Sequence, residues 1–218
     1  MQVGILGGTG PAGNALAARL ASAGVEVIIG SRSRERGEET CQGLRDKWPD
    51  RDLLLRGGEN HDAAGAELVV VAIPWDAAAA TAATVADELR GKVVISMANA
   101  LTRLGDEFVP LVPGRGSIAA GVQAAVPGAL VAGAFHHLPA RSLADLDHEL
   151  DSDVLVCADH PDAVTATSEL IAKVPGLRPV HAGSLASAAP VEAFTAVLLQ
   201  VNHRYKSRAA IRLTGLDL

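Results

Sequence analysis

The residues whose types and spacing most clearly point to chemistry form the glycine turn Gly8-Thr9-Gly10-Pro11-Ala12-Gly13. The turn has the pattern GxGxxG and lies between an apolar run, Val3 to Leu6, and an Ala/Leu-rich helical pattern, Pro11 to Ala23. In a strand, turn and helix of this kind, the glycines let the backbone approach a pyrophosphate, and the helix N-terminus favours anions. The spacing predicts a dinucleotide site, and the alternative is a Gly-rich turn without a ligand.

The end of the second predicted strand indicates which dinucleotide is bound. Gly30-Ser31-Arg32 follows the run Val25 to Ile29, and no acid stands where a carboxylate would accept a hydrogen bond from a ribose 2′-hydroxyl. Arg32 and Arg36 are four residues apart, so they share a helix face. Because guanidinium makes charge-assisted hydrogen bonds to phosphate, Ser31, Arg32 and Arg36 favour NADP over NAD. The alternative, a solvated helix face balanced by neighbouring acids, is preferred for Arg34.

Two more strand ends should reach the same edge of the sheet. Ile73-Pro74-Trp75 follows the fourth predicted strand and Ser96-Met97-Ala98-Asn99 follows the fifth. Ligands of open α/β sheets bind beyond the carboxyl ends of the strands. Ile73 and Pro74 are therefore expected to form an apolar wall against one face of a nicotinamide, although Pro74 as a simple strand stop is an equal alternative. Trp75 and Ala98 complete the candidate residues at these ends.

No other class of catalytic motif is present in the sequence. It contains no GxSxG, HExxH or GxxxxGK[ST] pattern. His136 and His137 are adjacent, and on a strand they would point to opposite faces, which is a poor arrangement for chelation. We therefore predict no metal site.

The elements that must position these residues alternate between strands and helices along the first hundred residues. The strands are continuous apolar runs, which is typical of a parallel sheet covered on both faces. The predicted fold class is α/β, a Rossmann-type doubly wound, mainly parallel sheet with a small C-terminal α/β extension. Residues 1–140 are predicted to form the NADP-binding Rossmann domain, and residues 141–218 the extension. Three further elements are predicted from less regular patterns: a third strand at 53–55, a helix over 76–90 and a closing helix over 184–208.

Composition limits the classes of partner. The chain has 218 residues, of which 49% are hydrophobic and 20% charged, as in a globular protein. Its net charge of −6 argues against a nucleic-acid partner, and 3% aromatic residues leave few surfaces on which bases could stack.

The same sequence indicates a compartment. Cys41 and Cys157 are far apart and form no CxxC pair, which favours a reducing environment. No basic n-region precedes the first apolar run, so no export signal is expected. The stretch 116–140 has no Asp, Glu or Lys and Pro127 and Pro139 interrupt it, so it is predicted to be buried rather than to span a membrane. We expect a cytoplasmic protein with no membrane partner.

Six segments spread along the chain carry a resemblance to a known family: Gly4-Ile5-Leu6-Gly7-Gly8-Thr9-Gly10, Gly30-Ser31-Arg32, Ile73-Pro74-Trp75, Phe135-His136-His137-Leu138-Pro139-Ala140, Asp153 to Cys157, and Gly176-Leu177-Arg178-Pro179. On these segments the chain resembles the NADPH:F420 oxidoreductases, also called F420-dependent NADP reductases, over nearly its whole length. It departs from them at Ser96 to Leu101, where a more proline-rich loop is expected.

The resemblance implies an oxidoreductase that moves a hydride between nicotinamide C4 and C5 of the deazaflavin coenzyme F420. Thr9, Ser31, Arg32 and Arg36 would then be the NADP set, and Pro74 and His136 would lie near the facing rings. Residues 141–218 would complete the deazaflavin cleft. Ring-to-ring transfer depends on proximity and alignment, so no catalytic side chain is expected. His136 either donates a hydrogen bond to the deazaflavin or is a strand-end histidine satisfied by backbone.

Two other functions stay open. An NADP-dependent reductase of a small carbonyl or imine would need a proton donor beside the substrate, and the only tyrosine is Tyr205. A non-catalytic NADP-sensing module would bind the cofactor without an acceptor site. The uncharged stretch 117–135 and the final helix predict a homodimer. Arg204 and Arg208 either attract the anionic F420 tail or complement the dipole of the helix end.

Overall fold

The computed structural model describes residues 1–216; residues 217 and 218, the end of the predicted extension, lie outside the described residues. The strands are β1 Gln2–Leu6, β2 Glu26–Ser31, β3 Leu55–Glu59, β4 Leu68–Val71, β5 Val93–Ser96, β6 Leu101–Leu104, β7 Glu107–Pro110, β8 Leu130–Gly133, β9 Ser152–Ala158 and β10 Leu177–Gly183. The helices are α1 Pro11–Ser22, α2 Arg34–Lys47, α3 Asn60–Ala64, α4 Ala78–Ala83, α5 Ile118–Ala125, α6 Ala140–Leu143, α7 Pro161–Ala172 and α8 Ala188–Tyr205.

Eight strands form one sheet in the order β10-β9-β8-β5-β4-β1-β2-β3. β1 lies between β4 and β2, so the strand order reverses there, and six strands from β8 to β3 are parallel. Each face carries its own apolar core: Ile5 and Leu16 belong to one, and Leu6 and Val122 to the other. The predicted fold class, a doubly wound and mainly parallel Rossmann-type sheet, is confirmed.

β9 runs against its neighbour. Ala132 and Gly133 of β8 pair with Ala158 and Cys157 of β9, whereas β10 is parallel to β9. The start of β9 therefore extends past the carboxyl end of β8, on the side where the parallel strands end. Residues 141–216 continue the same sheet there, and the boundary predicted at 140/141 stays a prediction.

The C-terminal segment crosses the start of β9 as a strap, defined here as residues 207–216. Asp153 is fully buried, and Arg178 binds its carboxylate through Nε and Nη2, at 2.7 and 2.9 Å. The Leu213 amide donates to the same carboxylate at 2.6 Å, and Arg212 lies 3.3 Å from it. These groups lower the pKa of Asp153, the hydrogen bond from Arg178 most of all.

Three elements differ from prediction. The third strand begins at Leu55, the last residue of the predicted run, and continues through Gly57 and Gly58, where a Cβ on Gly57 would lie 2.2 Å from the Glu38 amide nitrogen. Gly57 is needed because α2 packs directly on β3, and Gly58 because a Cβ there would lie 2.7 Å from Asp62 Oδ2 of α3. The helix predicted over 76–90 ends at Ala83, because the chain then continues in turns. The hairpin of β6 and β7 was not predicted.

The uncharged stretch 116–140 contains α5 and β8, whose residues Ile118, Val122 and Val131 are buried. A different segment, Leu185–Tyr205, is long and apolar enough by length and composition to cross a membrane, and 33% of it is buried. This carries little weight as a membrane signal, because core helices meet the same criterion. Here α8 packs against β7 and α5.

Candidate functional site

The glycine turn is hydrogen-bonded to the strands on one side, and on its other side the first N–H groups of α1 are free. The Gly8 amide donates to the carbonyls of Ile5 and Gly30, at 3.2 and 3.0 Å, and Gly7 has a positive φ of 71° that favours glycine. A Cβ on Gly13 would lie 2.9 Å from the Gly7 carbonyl oxygen, so α1 approaches the turn closely. α1 begins at Pro11 and has no side-chain cap, which leaves its first N–H groups available to an anion.

A cavity of 340 Å³ opens beside this turn. Seven of the predicted site residues line it: Thr9, Gly10, Ser31, Arg32, Arg36, Ile73 and Pro74. Gly7, Asn60, Ala72, Ala77 and Thr81 complete the lining. The backbone of the turn, the tip of β2 and the loop after β4 therefore meet around one space.

Arg32 and Arg36 differ from Arg34 in their partners. Arg34 forms an ion pair with Asp62 at 2.8 Å, a residue distant in sequence, rather than with the neighbouring acids that were expected. Ser33 caps α2 by accepting from the Arg36 amide at 3.3 Å, which fixes the start of the helix beside the cavity. Within residues 1–216, Arg32 and Arg36 form no ion pair, so both guanidinium groups are available to an anion.

A second cavity, of 190 Å³, lies at the ends of β5 and β8. Two of the predicted site residues, Ala12 and His136, are among its lining residues. Met97, Asn99, Leu101 and Phe135 also line it, as do residues 137–140, Leu143, Thr195, Leu198, Leu199 and Asn202. Gly10 lines the first cavity and Ala12 the second, so both cavities reach the first turn of α1.

The other predicted residues line neither cavity. Gly8 and Gly13 support the glycine turn by close packing. Pro11 is exposed at the first position of α1, and Trp75 is exposed beside Pro74. Ala98 is buried between Met97 and Asn99, which both line the second cavity.

His136 and His137 lie in a turn that follows β8. Phe135 before them has φ of +64°, which ends β8 abruptly, and the two rings are perpendicular with centroids 5.7 Å apart. Burial lowers the pKa of His136 to about 3, with a further contribution from His137, and burial lowers the pKa of His137 to about 4. Both imidazoles are therefore neutral at pH 7.

The two imidazoles differ in their hydrogen bonds. Nε2 of His137 accepts from the Leu155 amide of β9 at 3.1 Å, which leaves the proton on Nδ1. Neither ring nitrogen of His136 has a hydrogen-bond partner in the described part of the chain. Such an orphaned and buried polar group is costly, and a ligand in the adjoining cavity is one way to satisfy it. Among residues 1–216, no group of three or more His, Cys, Asp or Glu side chains is arranged to hold a metal ion.

Four polar residues that line the cavities carry no predicted role in the sequence: Asn60, Thr81 and Thr195 were not singled out, and Asn99 was noted only at a strand end. Asn60 follows β3, whose end was misplaced, so a correct boundary would have put it at the cavity edge. Thr195 is on α8 and had no sequence signal.

A doubly wound sheet with a glycine turn after β1 and free arginines beyond β2 defines a dinucleotide-binding protein of the Rossmann class. A family model described as "NADP oxidoreductase coenzyme F420-dependent" matches residues 2–100. Proteins named F420-dependent NADP reductase from Methanocaldococcus jannaschii and Methanothermobacter marburgensis are each 35% identical to this chain, covering 100% and 99% of both sequences. The chain belongs to the F420-dependent NADP reductase family, as its resemblance implied.

Solved structures agree with this fold. A protein from Arthrobacter sp. FB24, provisionally described as an F420-dependent NADP reductase, superposes with a TM-score of 0.81 at 23% identity, over 98% of this chain and all of that one. A hypothetical protein from Sinorhizobium meliloti, SMa0349, gives a TM-score of 0.72 at 29% identity, over 89% and 91% of the two chains.

Proposed function

We propose that this protein transfers a hydride between NADP(H) and the deazaflavin coenzyme F420. The observation that carries the proposal is a pair of cavities that both reach the first turn of α1. Two arginines, Arg32 and Arg36, line the first cavity, and mainly apolar residues line the second. Relatives that match the whole chain are named F420-dependent NADP reductases.

We assign NADP to the first cavity. Gly10 lines it, and the uncapped start of α1 would bind the pyrophosphate through backbone N–H groups. Ser31, Arg32 and Arg36 would bind the 2′-phosphate, and two free guanidinium groups compensate its charge. Ile73 and Pro74 would lie against the nicotinamide and keep water from that face.

We assign the ring system of F420 to the second cavity. Its walls come from both parts of the chain, and Leu143, Thr195, Leu198 and Leu199 supply the part contributed by residues 141–218. When bound, the two cofactors supply the hydride donor and acceptor carbons. The chain aligns them, and His136, neutral at pH 7, would contribute a hydrogen bond rather than a proton.

Mixing the protein with NADPH and oxidised F420 tests this function directly. Loss of the deazaflavin absorbance supports it. Tight binding of NADPH with no reduction of F420 would contradict it and favour the NADP-sensing alternative. The carbonyl or imine reductase is less well supported, because Tyr205 is 71% exposed and lines neither cavity.

We also propose a homodimer that works in the cytoplasm. The dimer rests on the outer face of α8 and the adjoining hairpin, where Phe194, Val197 and Leu104 are 43%, 51% and 64% exposed. Of the stretch 117–135, α5 and β8 contribute mainly to the core and lend it little support. The cytoplasmic location is supported by two buried cysteines that form no disulfide. Light scattering after gel filtration measures the mass, and Phe194→Glu should give a monomer.

A further inference from the structure

Asn60, the first residue of α3, is brought to the edge of the first cavity by close packing of α3 on the sheet. A Cβ on Gly4 would lie 1.8 Å from the Ala63 carbonyl oxygen, and one on Gly30 would lie 2.8 Å from Ala63 Cβ and 3.0 Å from Asn60 Oδ1. Only glycine at these positions of β1 and β2 lets α3 lie so close. Asn60 therefore reaches over the sheet towards the glycine turn.

Two polar contacts fix the position of α3. The Glu59 amide donates to Asp62 Oδ2 at 2.7 Å, within a reciprocal capping box, and Asp62 also pairs with Arg34 at the start of α2. Because α2 and α3 are tied together at their N-termini, Asn60 is held beside Ser31. Glu59 is the register partner of Ser31, so Asn60 is the next residue beyond the tip of β2.

The orientation of the Asn60 amide follows from its one hydrogen bond. The Gly7 amide donates to Asn60 Oδ1 at 3.4 Å, and only the oxygen of a carboxamide accepts. The two N–H groups of Nδ2 therefore point away from the turn. They have no partner within the described residues, and Asn60 lines the cavity together with Ser31, Arg32 and Arg36.

We propose that Asn60 is a specificity-determining residue, whose Nδ2 donates a hydrogen bond to the 2′-phosphate of the adenosine ribose while its Oδ1 braces the glycine turn. This inference rests on the proposed function, because it assumes that NADP occupies the first cavity. Asn60 adds a neutral donor to the two guanidinium groups. Its neutrality matters, because a carboxylate there would repel the phosphate and accept from a free 2′-hydroxyl.

Asn60→Asp separates the two roles, because aspartate keeps the oxygen that accepts from Gly7 but replaces the donor by a second oxygen. The Kd of NADP⁺ and of NAD⁺ should be measured by calorimetry for the parent, Asn60→Asp and Asn60→Ala. Gln42→Glu is the matched control, because it adds the same charge on the exposed outer side of α2. We expect Asn60→Asp to weaken NADP⁺ by at least tenfold and NAD⁺ by less than twofold, with the control unchanged.

The outcomes distinguish this inference from the proposed function. Equal weakening of NADP⁺ and NAD⁺ by Asn60→Asp would assign Asn60 to the turn alone and overturn the inference, as would no change in either. A parent that prefers NAD⁺ would overturn both the inference and the NADP part of the proposed function. A parent that binds NADP⁺ selectively yet fails to reduce F420 would contradict the proposed function and leave the Asn60 result valid. In Asn60→Ala, the loss of the brace should weaken both dinucleotides.

Discussion

Asn99 donates a hydrogen bond from Nδ2 to the main-chain carbonyl oxygen of His136, over 2.8 Å. The bond joins the loop after β5 to the turn after β8. The Thr195 hydroxyl, on α8, lies within hydrogen-bond distance of both groups, at 3.3 Å from Asn99 Oδ1 and 3.4 Å from the His136 carbonyl oxygen. Three segments that line the second cavity are thus held together by one carboxamide.

Replacing Asn99 should therefore affect F420 rather than NADP. Asn99→Ala removes one hydrogen bond to the His136 carbonyl, worth about 0.5–1.5 kcal/mol. We expect the KM for F420 to rise by about two- to tenfold, as steady-state kinetics would measure, with the Kd of NADP⁺ unchanged. Thr195→Val removes only the hydroxyl and should have a smaller effect in the same direction. A rise confined to the KM for NADPH would refute this assignment.

Arg32 should determine the choice of nicotinamide cofactor. Arg32→Ala removes a charge-assisted hydrogen bond to the 2′-phosphate and should weaken NADPH by about 1.5–3 kcal/mol while leaving NADH unchanged. Arg115→Ala is the matched control, because Arg115 is exposed and lines neither cavity. Fluorescence titration with both cofactors measures these affinities. The assignment is wrong if the parent binds NADH and NADPH equally well.

His136 should be dispensable for the chemical step. Because burial lowers the pKa of His136 to about 3, its imidazole is neutral near pH 7 and lacks the acidic proton of an imidazolium. His136→Ala should lower kcat only modestly and act mainly on F420 binding. Single-turnover kinetics with both cofactors saturating makes the comparison. A thousandfold loss at saturation, within the range of a general acid or base, would instead make His136 catalytic.

His137 should make the protein less stable in acid. The pKa of His137 is about 4 in the folded protein and about 6.5 in the unfolded chain. Between these two pH values His137 is protonated in the unfolded chain but neutral in the folded protein. The free energy of unfolding should therefore fall as the pH drops from 6.5 to 4, and at pH 4.5 this one group accounts for about 2–3 kcal/mol.

His137→Gln tests this pH dependence, because a glutamine oxygen can still accept from the Leu155 amide but cannot be protonated. Urea unfolding at pH 7.5 and pH 4.5 should show a smaller loss of stability in the variant than in the parent. Identical losses in the two proteins would mean that His137 is protonated within the fold.

Local patterns predicted the parts of the site that depend on neighbours in sequence. The glycine turn and the Ser31-Arg32 tip were predicted because a strand, a turn and a helix are contiguous there. The partner of Arg34 was not, because Arg34 and Asp62 meet only when Gly57 lets α2 lie on β3 and Gly58 leaves room for the Asp62 side chain. The reversal of β9 was also invisible, because an apolar run reads the same in either strand direction.

The partners of the basic residues in the C-terminal segment could not be predicted from local sequence patterns either. Arg208 pairs with Asp145 at 2.8 Å, and Arg212 lies near Asp151 and Asp153, so neither arginine stands free as the spacing suggested. Arg204 is in the last turn of α8, whereas Arg208 lies beyond its end at Tyr205, so the two do not share a helix face. Long-range ion pairs decide which charges are available, and spacing along a helix does not reveal them.

The strap across β9 also imposes an order on biosynthesis. Asp153 and Leu213 are 60 residues apart, and the buried carboxylate lacks part of its compensation until that distant amide has been translated. The glycine turn, β2, β4 and the other elements around the first cavity emerge much earlier. The elements around the first cavity can thus fold while the C-terminal residues are still being translated. The C-terminal part that completes the second cavity is the last to fold.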